Sequence, residues 1–580
     1  MPDSIISLYR HRLAGEKGAI IKDWGGKISI ALAYPNYYRV GMSSLGFQVV
    51  YTLFNRREDI VAERFFLPDS VEEDLYGFSG KGILSLESQS ALGRFDIIAF
   101  SLSFENDYPN ILNILELGRI PLKSDERDDS HPLVLAGGIT AFLNPEPIAP
   151  FIDIFLLGEG EELIDSFIEQ YLDARGGRFH RDEILKCMSL NLRSAYVPSL
   201  FLPHYDASGL LSAFEPVEGS VPDKIKVAHP GIDYLPVNTS QILTRETEFA
   251  GKRLIELSRG CGRSCRFCAA GYVYRPPRFH DESDLVSVLG KMDCQNIGLL
   301  SASVLDSPGI ENIMELINRK KGNFSVSSLR ADLLSLEKLD KIRKGGQRSL
   351  AIAPEAGSER LRVVINKHLT TDQILNAIRL VAKTDDFNMR LYFLLGLPTE
   401  TRDDVAEILE LVKSIKHNMI KESRIRGRMG AISLSINCFI PKAFTPFQWF
   451  PLDDMSRLKE KQKWLKRAFS REGGVKANFD LPKYAFLQTL LSVGDRRVGS
   501  ILLAAHRNGG DWLKSFRYSD INPDFFVYRH KDLNERLPWD FIDNGIRKDF
   551  LKKEYKLALQ GRESEICTPG ECDRCGACSG

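Results

Sequence analysis

From Arg253 to Pro441 the chain repeats one unit six times: an apolar run that ends in small or polar residues, then an amphipathic stretch. The runs are LIELSRG, NIGLLSAS, FSVSSLRAD, RSLAIAPEA, MRLYFLLGLP and ISLSINCFIP. Helical patterns such as ESDLVSVLGKM, GIENIMELINRKK and DDVAEILELVKSIKHN separate them. Six strand-and-helix units in succession predict a closed or nearly closed parallel barrel. Ligands of such a barrel sit at the carboxyl ends of its strands.

The first third of the chain alternates in the same way. ISIALAYP (28–35), DIIAFSLSF (96–104), PLVLAGGIT (132–140) and DIFLLGEG (153–160) are continuous apolar runs. Runs without polar alternation suit strands covered on both faces, hence a parallel sheet. SLGFQVVYTLFN, DYPNILNILELG and EELIDSFIEQYLDA supply the helices of a doubly wound α/β domain. Its ligands bind outside the carboxyl ends of the strands. Gly137 and Gly138 permit close backbone approach to a ligand there, and the turn Gly158-Glu159-Gly160 does the same at the start of the next helix. The expected organisation is an α/β domain over 1–180, a connector over 181–247, the barrel over 248–450, a helical region over 451–560 and a cysteine-rich tail over 561–580.

At 580 residues the chain is too long for one core. Its 77 basic and 77 acidic residues cancel, so no bulk charge draws it to nucleic acid or membrane. The N-terminus lacks the apolar core of a signal peptide, and no apolar run approaches the ~20 residues that span a bilayer. A cytoplasmic protein is expected. The locally basic stretch 413–430 reads as a solvated helix face and loop.

Seven of the ten cysteines are clustered. Cys261, Cys265 and Cys268 follow the first barrel strand, at the barrel mouth. A structural zinc site closes with four protein ligands, and a cubane cluster has four irons to ligate. A local triad therefore takes a fourth ligand from elsewhere or leaves one iron open for a small molecule. Cys567, Cys572, Cys575 and Cys578 form C-x4-C-x2-C-x2-C, with no histidine interleaved. Four thiolates can close a zinc site or ligate a cluster; the compressed run is more like ferredoxin ligation. Gly570 and Gly576 permit the tight turns that either needs. Cys187, Cys294 and Cys438 stand alone and are expected as buried small hydrophobes. Arg275 and Arg278 could support cofactor or substrate anions, or lie on the surface.

C-x3-C-x2-C after the first strand of a six-unit α/β barrel resembles the radical S-adenosylmethionine superfamily. The resemblance implies a [4Fe-4S] cluster on Cys261, Cys265 and Cys268, with S-adenosylmethionine on the fourth iron. It implies a 5′-deoxyadenosyl radical, formed with an electron from a flavodoxin- or ferredoxin-type donor. Phe267 matches the family's aromatic, packing on the cluster or nucleoside. Ser303 falls where the methionine amine binds, although the usual Gly-Gly-Glu is absent. Arg330 would grip the methionine carboxylate, and Glu355 and Ser358 would contact the ribose or the amine. Gly396 belongs to a glycine motif that cradles the adenine. The segments holding Glu355 and Ser358, and CFIPKAFTPFQW, resemble methylthiotransferase-like radical enzymes.

The first domain resembles the cobalamin-binding domain of one large subfamily, through AGGITAFLNPEPIAPFIDIFLLGEGEE. The Asp-x-His-x-x-Gly signature is missing, which implies cobalamin without a protein histidine on cobalt. Two readings follow. The first is a radical enzyme that moves a methyl group onto RNA, a protein or a small molecule, with methylthio transfer or another radical rearrangement as a close variant. The second is a non-enzymatic metal-dependent binding or assembly protein.

Overall fold

The computed structural model describes residues 4–79, 82–231, 235–292, 295–570 and 572–578. Cys294 lies outside them.

The first domain is an α/β sheet. Strands β1 (Ile28–Tyr34), β2 (Ile60–Phe66), β3 (Ile97–Ser101), β4 (Leu133–Gly137), β5 (Ile154–Leu156) and β6 (Ala195–Tyr196) pair in the order β2-β1-β3-β4-β5-β6. All pairs are parallel except that of β5 with β6. Every residue of β1 is buried, as expected for a strand covered on both faces. Helix α1 (Leu45–Asn55) starts where the Ser44 side chain accepts the Phe47 N–H, and it buries Phe47, Tyr51 and Phe54. Helices α2 (Tyr108–Leu117) and α3 (Gly160–Gly176) follow β3 and β5.

Sequence patterning passed over β2. IVAERFF contains Glu63 and Arg64, yet all seven residues are buried. Arg64 pairs with Glu16 and Glu87, both at 2.6 Å, so its charge is matched inside the domain. The connector also has more structure than expected: a helix over Arg181–Asn191 and an antiparallel hairpin of Phe201–Tyr205 with Leu211–Pro216.

The barrel strands are β7 (Arg253–Glu256), β8 (Asn296–Leu300), β9 (Asn323–Val326), β10 (Ser349–Glu355), β11 (Asn388–Leu395) and β12 (Ile432–Cys438). They form two parallel sheets, β7-β8-β9 and a second that begins β10-β11-β12, joined by a parallel bridge between Leu329 and Ile352. A seventh parallel strand, β13 (Val475–Phe479), extends the second sheet beyond β12. The barrel sheet thus continues into the region expected to be wholly helical. β13 escaped notice because it is five residues long and alternates half-buried with exposed positions. In β10 and β11, buried residues such as Ile352 and Leu391 alternate with half-buried Ala351, Glu355 and Tyr392. The second set shares one strand face by the two-residue repeat.

Buried polar contacts weld the first domain to the rest. Asn144 donates to the carbonyls of Ser492 (3.1 Å) and Gly494 (2.8 Å), and Arg496 pairs with Glu146 at 3.1 Å. Among the described residues no helix is long and apolar enough to cross a membrane.

Candidate functional site at the barrel mouth

The triad loop leaves the barrel after β7. Its stem, Ser258–Arg259, pairs antiparallel with Arg278–Phe279, and a short helix, Ala270–Val273, follows Cys268. Side chains from distant segments fix the loop. Asn366 donates to the Ser264 carbonyl (3.1 Å), as does the Tyr272 hydroxyl (3.2 Å). The wholly buried Arg266 donates to Val364 O (2.9 Å) and Arg562 O (2.8 Å).

Cys261, Cys265 and Cys268 are half-buried, and their sulfurs interact electrostatically. Burial, reinforced by the neighbouring sulfurs, pushes the Cys268 thiol up to about 12 and raises Cys261. Metal binding must therefore displace protons from these thiols. Among the described residues no three His, Cys, Asp or Glu side chains are gathered as a bare metal ion requires. Thiolates of a four-iron cluster bind separate irons and stand farther apart than the ligands of one ion.

The other expected site residues divide into two groups. Arg330 stands close enough to Cys261 to favour its thiolate; it pairs with Asp332 (3.0 Å) and donates to the carbonyls of Lys367 (3.3 Å) and His368 (3.1 Å). Glu355 holds a left-handed backbone (φ +67°) and pairs with Lys367 at 3.1 Å. Ser303 is buried, and its N–H donates to Ser301 Oγ at 3.0 Å. Phe267 packs against a small apolar cluster that includes Ala356, Leu361 and Ile365.

Ser358 and Gly396 also have structural roles. The Ser358 hydroxyl donates to Asp404 and accepts the Leu361 N–H, capping α4 (Glu359–Val364). The hydroxyl is thus engaged inside the fold. Gly396 has φ +80°, and a Cβ there would stand 2.9 Å from Asp453. It lines a separate cleft of about 730 Å³ with Glu400, Asp453, Lys461 and Trp464.

Lys367 was missed by the sequence reading. Its ammonium is buried and faces Cys265 and Cys268. Burial works against its charge, but Glu355 and the Cys265 sulfur outweigh it. A polar Asn-Lys-His step between Ile365 and Leu369, in VVINKHL, was the available signal.

A cavity of about 530 Å³ lies between the first domain and the barrel. Gly137, Gly138, Gly158, Glu159 and Gly160 all line it, as do Gly260 and Ala270 on the two flanks of the triad loop. Phe47, Phe54, Phe100, Leu135 and Phe142 give it apolar walls. Two of the glycines answer to the fold more than to a ligand. Gly138 (φ +107°) and Gly158 (φ +136°) would place a Cβ 2.3 Å from the carbonyl oxygens of Leu102 and Ala228. Gly137 has its nearest neighbour at 3.6 Å and leaves room.

Glu159 is a charge hub. It pairs with Arg259, Arg278 and His229, joining the first domain to the triad-loop stem. Burial alone would raise its carboxyl, but the His229 hydrogen bond and the two guanidiniums bring it down to about 2. Arg278 and Arg275 are both buried, which removes the surface reading of either.

Cys567, Cys572, Cys575 and Cys578 face one another beside the triad loop, with Cys575 buried and Cys578 exposed. Of the lone cysteines, Cys438 is buried as expected, while Cys187 is only half-buried.

Comparison with known proteins agrees with this anatomy. Residues 46–198 match the family described as "Radical SAM proteins, N-terminal", and residues 255–412 match "Radical SAM superfamily". Uncharacterized protein MJ0966 of Methanocaldococcus jannaschii is 29% identical over 82% of this chain and 90% of its own length. A tRNA-2-methylthio-N(6)-dimethylallyladenosine synthase of Clostridium beijerinckii is 22% identical over 31% of this chain and 46% of its own. Among solved structures, the radical S-adenosylmethionine methyltransferase TsrM of Kitasatospora setae aligns with a TM-score of 0.46 and 12% identity, over 73% of this chain and 74% of its own. The chain belongs to the radical S-adenosylmethionine superfamily of enzymes.

Proposed function

We propose that the chain is a cytoplasmic, cobalamin-dependent radical methyltransferase. The observation that carries this reading is the shared cavity. Glycine loops of the first domain form one side, and both flanks of the triad loop form the other. Cys261, Cys265 and Cys268 would hold a [4Fe-4S] cluster, and the cavity would hold cobalamin. With these groups and S-adenosylmethionine bound, one electron yields a 5′-deoxyadenosyl radical, the substrate loses a hydrogen to it, and methylcobalamin supplies the methyl group.

The chain's own residues prepare this chemistry. Arg330 and Lys367 place positive charge beside the triad. The Arg259 guanidinium lines the cavity, but Glu159, Glu161 and Glu256 neutralise it. The phenylalanine walls exclude water from reactive intermediates. Among the described residues no histidine lines the cavity, in keeping with cobalamin held without a protein histidine on cobalt.

A second iron–sulfur cluster, in preference to zinc, would occupy the tail. The reductant would be of the flavodoxin or ferredoxin class. The match to a methylthio synthase supports methylthio transfer as the runner-up. Membership of an enzyme superfamily sets aside the non-enzymatic reading.

The test is the metal content of protein isolated without oxygen from cells grown with cobalamin. Iron near a multiple of four with about one cobalt per chain is the expected result. Iron without cobalt would reduce the first domain to a scaffold. Zinc without iron would overturn the radical chemistry.

A further inference from the structure

We propose that the cysteine tail is the electron port of the triad: a second cluster on Cys567, Cys572, Cys575 and Cys578, seated against the triad loop, through which the reducing electron enters. The proposal rests on the reading that the triad itself holds a cluster.

Three contacts carry it. The Cys567 N–H donates to the Gly262 carbonyl at 2.8 Å, and Gly262 is covalently next to Cys261. The approach is tight enough that a Cβ on Gly262 would stand 3.0 Å from Cys567 O. The second contact is Arg275. Its Nε donates to Gly271 O and its Nη2 to Ser264 Oγ, each at 2.7 Å, so it is bound to the triad loop. The same buried guanidinium faces Cys567 and Cys575 of the tail. One cation therefore bridges the triad loop and the cysteine tail. Third, the Arg547 N–H donates to Cys575 O at 2.8 Å, which fixes the tail to the start of helix α6 (Lys548–Leu559).

The tail runs in the direction a port requires. Cys578 is exposed, while Cys575 is buried beside Arg275. Among the described residues no three tail cysteines are gathered as a bare zinc ion requires, and zinc has no redox chemistry and passes no electron. Arg275 places a buried positive charge beside the tail cysteines and against the triad loop, and such charges set cluster potentials. The step balances simply. A reduced flavodoxin- or ferredoxin-class donor gives one electron to the tail cluster. That cluster passes it to the triad cluster and returns to its oxidised state. No atoms move.

The test uses the full chain isolated without oxygen. About eight irons per chain are expected, from two four-iron clusters. After full reduction, its electron paramagnetic resonance spectrum should show two interacting centres. The signal should simplify to one isolated centre when Cys261, Cys265 and Cys268 are all replaced by Ala. In a variant with the four tail cysteines replaced by Ser, triad reduction by reduced flavodoxin should slow by an order of magnitude or more. Reduction of the same variant by dithionite should keep its rate. Four irons on the triad with zinc in the tail, or non-interacting centres in the native chain, would overturn the port while leaving the triad reading intact. Iron wholly retained after loss of Cys261, Cys265 and Cys268 would instead sink the triad reading. The native spectrum needs no variant, so a misfolded mutant cannot rescue the idea.

Discussion

Arg266 and Glu554 form a buried ion pair, 3.1 Å long, that fastens the triad loop to helix α6. Ser564 donates a further hydrogen bond to Glu554 at 2.8 Å. Removing one partner of such a pair leaves a buried charge alone, at a cost of about 3–5 kcal/mol. Glu554→Ala is therefore expected to release α6 and the tail from the loop. Hydrogen exchange across 548–559 should rise in this variant, while that across β1 and β3 stays slow. Unchanged protection of α6 would show that the pair is not its anchor.

Cys265→Ala should abolish triad iron and bring 5′-deoxyadenosine formation to background. The loop is held by Arg266, Asn366 and Tyr272 independently of any metal, so the far-ultraviolet circular dichroism should stay close to that of the parent. Retained turnover would contradict the assignment of the triad.

The glycines of the first domain should respond very differently to the same change. Gly138→Ala and Gly158→Ala combine positive φ with a Cβ 2.3 Å from a backbone oxygen. Strain of more than about 1 kcal/mol is expected, and poor yield of folded protein. Gly137→Ala should fold normally, its Cβ meeting nothing closer than 3.6 Å. Comparing the three thermal midpoints checks the ranking.

Glu159 predicts an acid-sensitive joint between domain and barrel. Its carboxyl titrates at about 2 in the folded chain, against an ordinary value of 4.5. A depressed carboxyl stabilises the fold fully above the ordinary value, and that contribution is lost as pH falls from about 4.5 toward about 2. Its size at neutral pH is on the order of 3 kcal/mol, at about 1.4 kcal/mol per pH unit. Glu159→Gln should be less stable by that order at pH 7, and the gap should close across this window. A gap independent of pH would mean that the carboxylate charge contributes little.

Much of the barrel was legible in the sequence because its strands are largely apolar and a glycine, serine or proline follows each within three residues. The segments that escaped were those whose polarity is matched by distant partners. β2 was hidden by Glu63 and Arg64: Arg64 is matched by Glu16 and Glu87, and Glu63 accepts from Trp24 and Ser88. β13 was hidden because it lies at the open edge and needs only one buried neighbour, β12. The triad was legible through spacing alone. The engagement of Ser358 with Asp404 was not, because the partner lies 46 residues away. Nor was the role of Arg275, which depends on a tail whose docking no local pattern records.

The distance along the chain between the two ends of the Arg266–Glu554 pair is 288 residues. At ~5–20 residues per second, a ribosome takes roughly 15–60 s to synthesise the intervening stretch. Throughout that interval the triad loop is made but its cover is not. The buried Arg275 and Arg266 have no tail or helix to hold, and the three thiols face solvent. Delivery of iron and sulfide to the nascent chain would meet an open site in this window, and delivery to the finished chain would first have to dislodge α6 and the tail.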